Sequence, residues 1–151
     1  MPPALLFILI SHYHFVKPSS AILGHMERST RQRQAIREVM RELNRPLSPA
    51  EVLEAARHKV PGLGIATVYR TLKGLVEEGS AVPVELPGEA PRYELSGKKH
   101  HHHFHCTCCG KVFELEGCPG DFSSMVPQGF RTERHEIVLY GQCTQCLSAR
   151  H

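Results

Sequence analysis

Three helix-length segments, a hairpin pattern and two Cys-x-x-Cys pairs behind a run of histidines predict an α+β protein. The expected architecture is an N-terminal winged helix-turn-helix domain followed by a small α/β domain with a four-cysteine zinc site. A chain of 151 residues has room for two such modules. Charge follows the same division. Residues 26–79 hold ten Lys and Arg against seven Asp and Glu, whereas residues 80–151 hold seven against eight. The first half is therefore the one suited to a polyanion.

Residues 1–25 are read as a disordered or dispensable extension, and the organised pattern begins at Met26. The apolar run Leu5–Ile10 is far too short to span a bilayer. No Lys or Arg precedes it and no cleavage motif follows, so it does not read as a signal peptide. The protein is expected to be cytoplasmic, with no membrane partner.

The winged-helix domain is placed at residues 26–95. Thr30 is the candidate N-cap of a first helix from Arg31 to Glu42, whose Ala35, Ile36, Val39, Met40 and Leu43 recur at helical spacing. Ser48-Pro49-Ala50-Glu51 joins a Ser cap, Pro at the first helical position and Glu three residues after the cap, which starts a second helix ending near His58. A turn at Val60–Gly64 precedes a third helix from about Ile65 to Glu78, stopped by Gly79. Its buried stripe should be Ile65, Val68, Leu72, Leu75 and Val76. Its other face carries Ala66, Thr67, Arg70, Lys73 and Gly74, with Tyr69 at the edge. Small groups, hydroxyls and cations on one face suit a DNA major groove. Ala81–Leu86 and Arg92–Leu95 around Pro87-Gly88-Glu89 read as the wing hairpin, with Pro83 confining the first strand to an edge.

Ser96–Lys99 is a hinge, and residues 100–151 form the second domain. Short strands are expected at His101–Cys106, Lys111–Glu114 and Glu136–Tyr140, with a short helix between Asp121 and Val126. Cys106-x-x-Cys109-Gly110 and Cys143-x-x-Cys146 have the spacing of a structural zinc site, because a two-residue gap lets both sulfurs of a pair reach one ion from a tight turn. Gly110 supplies the positive φ of that turn. All coordination positions are then filled, so the ion contributes folding energy and activates no water. Cys108 competes with Cys109 for the second position, and the following Gly favours Cys109. Cys118 reads as a spare thiol.

The chain has eleven His and six Cys, and five of the His occupy six consecutive positions from His100 to His105. On a strand, His101, His103 and His105 share one face, and His100 and His102 the other. Two metal sites follow, each needing further ligands. Glu94, Glu114, Asp121 and His135 are the candidates.

The run from Gly64 through Ala66-Thr67-Val68-Tyr69-Arg70-Thr71-Leu72, the His tract with Cys106-x-x-Cys109-Gly110, and His135 through Leu139-Tyr140-Gly141 to Cys143-x-x-Cys146 together resemble the ferric uptake regulator family. The resemblance spans Met26 to about Leu147. It implies a homodimeric, metal-dependent repressor of metal-homeostasis or oxidative-stress genes that binds a palindromic operator in double-stranded DNA. The second domain would then be the dimerisation domain. By resemblance, Cys106, Cys109, Cys143 and Cys146 hold structural Zn2+. Glu94, His101 and His103 match the regulatory metal site between the domains. His100, His102, Asp121 and His135 match a second site inside the dimerisation domain. Tyr69 and Arg70 match the base-reading pair, with Thr67 and Lys73 beside them, and Arg28 matches a basic arm ahead of the first helix.

Iron-type members carry a His just before the second helix, where this chain has Arg45-Pro46-Leu47-Ser48. The regulatory site therefore lacks a ligand, binds more weakly, or recruits His58 or His105. Zinc-type members carry a Cys near Glu94, and this chain has none. Imidazole with carboxylate suits Fe2+, Zn2+ and Mn2+ alike as co-repressor. Two other readings fit part of the sequence. A histidine-rich metal carrier or buffer accounts for the His tract but not for the third helix's cationic face. A zinc hydrolase would need an open coordination position and a base such as Glu114 or Glu136, and no His-Glu-x-x-His motif is present, so no enzyme activity is expected.

Overall fold

All three helical patterns of the first half become helices, but the first starts well before its apolar spacing does. The computed structural model describes residues 20–149. In it α1 spans Ser20–Leu43. Thr30 therefore lies within the helix and is not its cap. Residues 20–25 of the proposed extension are its first turns, while Leu5–Ile10 lies outside the described residues. Glu27 to Arg31 are all exposed, so this stretch carries no apolar period that a sequence could show. Burial begins at Gln32 and runs through Ala35, Ile36, Val39 and Met40. Asn44 ends the helix with φ 42, its N–H reaching the Met40 carbonyl at 3.1 Å. Asn is among the few side chains that tolerate this left-handed backbone.

α2 (Pro49–Lys59) opens with the capping box read from the sequence. The Ser48 hydroxyl accepts from the Glu51 N–H (3.2 Å), and the Glu51 carboxylate accepts from the Ser48 N–H (2.9 Å). α3 (Ile65–Glu77) buries Val68, Leu72 and Leu75. Ile65, expected in that stripe, is 41% exposed. It occupies the first helical position, before the helix meets the core. The helix stops at Gly79, where φ is 71. The Ser80 N–H returns to the Leu75 carbonyl (2.8 Å) and the Gly79 N–H to Val76 (2.9 Å), which satisfies two otherwise orphaned carbonyls.

β1 (Ala81–Val84) pairs antiparallel with β2 (Arg92–Leu95) in the register Ala81 to Leu95 and Val84 to Arg92. Leu47 adds a rung by exchanging two backbone hydrogen bonds with Tyr93 (2.9 and 2.8 Å). Three helices and this wing enclose one core of Ile36, Val39, Met40, Leu47, Val52, Ala56, Leu63, Val68, Leu72, Leu75 and Ala81.

The second half is a three-stranded sheet in the order β4-β3-β5. β3 (His102–Cys106) is central, antiparallel to β4 (Val112–Leu115) and parallel to β5 (Val138–Gly141). The strand ends differ from expectation by one or two residues. The helix expected between Asp121 and Val126 is only a 3-10 turn at Ser123–Met125. α4 (Thr144–Ser148) has no counterpart in the sequence reading, since five residues are too few for a period to register. After the hinge, Cys106 and Val112 are the buried apolar residues among those described.

Polar contacts join the halves. Arg92, 8% exposed, donates to Glu51 (2.6 Å) and Glu89 (3.4 Å) and also to the Gly110 carbonyl beside the first Cys pair (2.5 Å). Lys98 reaches Glu114 at 2.5 Å, His105 faces Glu89 at 3.0 Å, and the Arg45 guanidinium sits 5.8 Å from the Phe113 ring centroid.

Glu51 thus caps α2 and balances two guanidinium groups. Burial raises its carboxyl, but the Ser48 N–H and Arg45 outweigh this and hold it below 4.5. Its stabilising effect is complete above that value and drains away as pH falls through the lowered folded value. We expect Ser48→Ala to cost about 1 kcal/mol and Glu51→Gln about 2 kcal/mol at neutral pH. Urea titrations should show the Glu51→Gln deficit shrinking in acid, and a deficit independent of pH would contradict this ion-pair role.

Candidate metal centres and nucleic-acid interface

Three groups of donor side chains converge in or beside the second half, each with its ligand atoms within 4.8 Å of one another. The first is the quartet Cys106, Cys109, Cys143 and Cys146. The first pair flanks the turn after β3, where Gly110 has φ 68 as its position requires. The second pair opens α4, with Cys143 as its N-cap residue. The Thr107 N–H donates to the Gly141 carbonyl (2.7 Å) and clamps the two turns together. Sulfurs about 2.3 Å from a tetrahedral zinc lie about 3.8 Å apart. Here Cys106 and Cys146 are separated by 3.8 Å and Cys109 and Cys143 by 3.9 Å. Both separations are those that a tetrahedral zinc requires.

Backbone N–H groups of Cys109 and Cys143 point at the Cys106 sulfur and bring its thiol down to about 6. Cys146 moves the other way, pushed up by the Cys108 sulfur, by burial and by the other quartet sulfurs. One ligand is therefore poised as a thiolate, and a bound cation would draw off the remaining protons. Cys109 stands in the quartet and Cys108 does not, although the Cys108 sulfur lies close enough to Cys146 to perturb it.

The second group is Glu94, His101 and His103. Glu94 lies on β2 and His103 on β3, with His101 just before β3, so the group joins the two sheets across residues 96–99. Glu94 is 5% exposed, with one oxygen 3.1 Å from His101 Nε2 and the other 3.8 Å from His103 Nε2. His101 Nδ1 donates to the Lys99 carbonyl (2.8 Å), which orients the ring and leaves Nε2 facing the carboxylate. Lys98 Nζ stands 3.3 Å from Glu94. Burial opposes ionisation of Glu94, yet His103, Lys98 and His101 together hold its carboxyl below the ordinary 4.5. The set offers a dication one carboxylate and two imidazoles. Neither residue proposed to complete it does so. His58 is exposed on α2, and His105 turns to Glu89 and packs its ring edge-on against Tyr140.

The third group differs from the sequence reading. It contains His100, His102 and His135 as expected, but its fourth member is Cys118 and not Asp121. Asp121 is turned away, accepting from the Ser123 N–H (2.8 Å) and hydroxyl (2.7 Å), and these bonds hold its carboxyl below the ordinary 3.8. Cys118, read as a spare thiol, lies 3.0 Å from His135 Nε2. His102 is pushed below its ordinary 6.5 by burial and by the imidazoles of His100 and His135, which favours the neutral, ligating form.

The candidate nucleic-acid face is on α3 and α1. Tyr69 is 54% exposed, and Arg70 and Lys73 are exposed beside it. Arg70 leans on the Thr67 hydroxyl at 3.4 Å, and Lys73 pairs with Glu77 at 3.8 Å, one turn along. Arg28 is not on an arm ahead of the first helix, because α1 begins at Ser20. It lines a cleft between the two helices with Gln32, Arg33, Thr67, Arg70 and Thr71. The cleft is cationic, with Arg33 partly neutralised by its ion pair to Glu78. Sequence reasoning missed Arg92 and Lys98, whose roles depend on what the fold brings beside them.

Comparison with known proteins gives a consistent picture. The model of the ferric uptake regulator family matches residues 25–140. The ferric uptake regulation protein of Campylobacter upsaliensis is 31% identical over 122 residues, covering 78% of each chain. The zinc uptake regulation protein of Mycobacterium tuberculosis is 30% identical over 126 residues, covering 80% of this chain and 95% of that one. Among solved structures, the Helicobacter pylori ferric uptake regulator, described as having three functional metal binding sites, aligns with TM-score 0.56 and 25% identity over 87% of this chain and 95% of its own.

The quartet geometry separates two neighbouring thiols by experiment. Metal analysis after gel filtration should find tightly held zinc lost in Cys109→Ser and retained in Cys108→Ser. The reverse pattern would mean that the knuckle uses the other sulfur.

Proposed function

Since this chain belongs to the ferric uptake regulator family, we propose that it is a metal-dependent, sequence-specific DNA-binding repressor controlling metal-ion homeostasis. The observation that carries this reading is the position of Glu94, His101 and His103 across the hinge between the wing and the second domain. A divalent ion held there ties the reader to the rest of the protein. With the zinc quartet nearby, the chain uses Zn2+ structurally and a second divalent ion, Fe2+, Zn2+ or Mn2+, as co-repressor.

The partner is double-stranded DNA, and the active form is a homodimer on a palindromic operator. Exposed Leu139 and Tyr140, both 51–52% accessible on edge strand β5, suit a second copy of the chain. In a dimer, fixing each reader against the shared core sets the separation of two α3 helices, and that separation must match the half-sites. Tyr69 and Arg70 reach base edges, and Arg28, Thr67 and Lys73 serve the backbone and the adjacent groove. An ion that binds the closed arrangement about 100-fold better supplies about 2.7 kcal/mol of coupling to DNA. No helix among the described residues is long and apolar enough to cross a membrane, and the working compartment is the cytoplasm. The ferric and zinc uptake relatives are named as regulators, and a catalytic role has no support here.

The test is operator binding by gel shift with each metal and with chelator. His101→Ala combined with His103→Ala should keep the dimer and its quartet zinc but lose metal-dependent binding. Arg70→Ala should weaken specific binding about 10- to 100-fold, as loss of one bidentate base contact does. Full operator affinity in the double variant, or in chelator, would overturn the reading.

A further inference from the structure

His102 is 3% exposed, and neither of its ring nitrogens has a hydrogen-bond partner among the described residues. Such a buried imidazole costs free energy unless something on its face accepts or replaces those bonds. Around it stand His100, whose Nε2 lies 3.1 Å from His135 Nε2, and Cys118, whose sulfur lies 3.0 Å from the same nitrogen. A tetrahedral ion would separate two nitrogens by about 3.3 Å and a nitrogen and a sulfur by about 3.5 Å, so these side chains need open by only about half an ångström or less to hold one. The Gly120 N–H points at the Cys118 sulfur (3.4 Å) and helps to fix its position. The carboxylate that could have supplied an oxygen donor, Asp121, is already committed to Ser123.

From this we infer that Cys118 is a metal ligand, and that His100, His102, Cys118 and His135 form a closed three-imidazole, one-thiolate site selective for zinc. Sulfur in place of a carboxylate oxygen moves the donor set away from manganese and iron and towards zinc. The site also has a mechanical role. Cys118 and His135 lie at either end of the connection between β4 and β5, which holds only one 3-10 turn, while His102 is on β3 and His100 just before it. One ion pins that connection to the sheet. The inference rests on the metal-binding part of the proposed function and not on DNA recognition.

The experiment adds Co2+ to purified protein whose quartet is loaded with zinc, follows absorption, and confirms by metal analysis that the quartet zinc stays bound. Wild-type protein should develop a thiolate-to-cobalt charge-transfer band in the near ultraviolet together with tetrahedral visible bands. Cys118→Ser should lose the charge-transfer band, and its zinc affinity at this site should fall at least about tenfold. Cys118→His keeps four donors, so it should bind cobalt tetrahedrally without the sulfur band even if the Ser variant folds poorly. His101→Ala with His103→Ala should leave the band intact, which separates this site from the one at the hinge. No sulfur band in wild-type protein, or an equal band in Cys118→Ser or Cys118→His with quartet zinc retained, would overturn the assignment. A normal band in a protein that fails to bind DNA would leave it standing and defeat the regulatory reading alone.

Discussion

The second half of this chain cannot be held together by apolar burial. Past the hinge, Cys106 and Val112 are the buried apolar residues among those described, while Met125, Phe130 and Leu147 lie largely in solvent. Three strands with so little core fall well short of what ordering their backbone costs. The sulfur spacing of the quartet supplies what is lacking, because zinc binding free energy is then folding free energy. The two turns that carry the sulfurs also close β3 onto β5, whose parallel pairing has no short connection of its own. Strand order, the placement of the histidines and the reach of β3 towards the wing all depend on that cage.

The first half is built on the opposite principle, with eleven buried apolar residues in one cluster. Contrast between the halves makes the junction informative. Arg92, Lys98, His105 and Arg45 cross it by ion pairs, one carbonyl hydrogen bond and a cation–π contact, with little apolar packing. Arg92 and Lys98 are largely buried, so these contacts depend on each polar group keeping its partner. The Glu94 group lies among these contacts, where a bound ion would add a further polar tie between the halves.

Much of this was legible in the sequence because it is local or periodic. The capping box at Ser48 and Glu51, the stop at Gly79, and the stripe of Val68, Leu72 and Leu75 each follow from rules spanning a few residues. Alternation along β3 separates His101 and His103 from His100 and His102, and the structure divides them in that way. What was hidden is long-range or solvated. Cys118 joins its site through a loop flanked by Gly117 and Gly120, and no spacing rule reports where such a loop returns. Asp121 looked equivalent until Ser123 was found on its carboxylate. The start of α1 escaped because Glu27 to Arg31 face water, and Arg28 was placed on an arm that is helix. Ile65 broke the stripe because helix periodicity says nothing about where the core begins.

Lys98 competes for the Glu94 carboxylate. Its side chain is 16% accessible, and the ammonium holds two carboxylates, those of Glu94 and Glu114, with the Asn44 carbonyl within reach. A dication arriving at Glu94 meets an oxygen that is already neutralised. It must share that oxygen or release the lysine to Glu114 and solvent. Either way, affinity is lower than the same three donors would give alone. The fold thus places a monovalent rival beside a carboxylate that any dication held there would need.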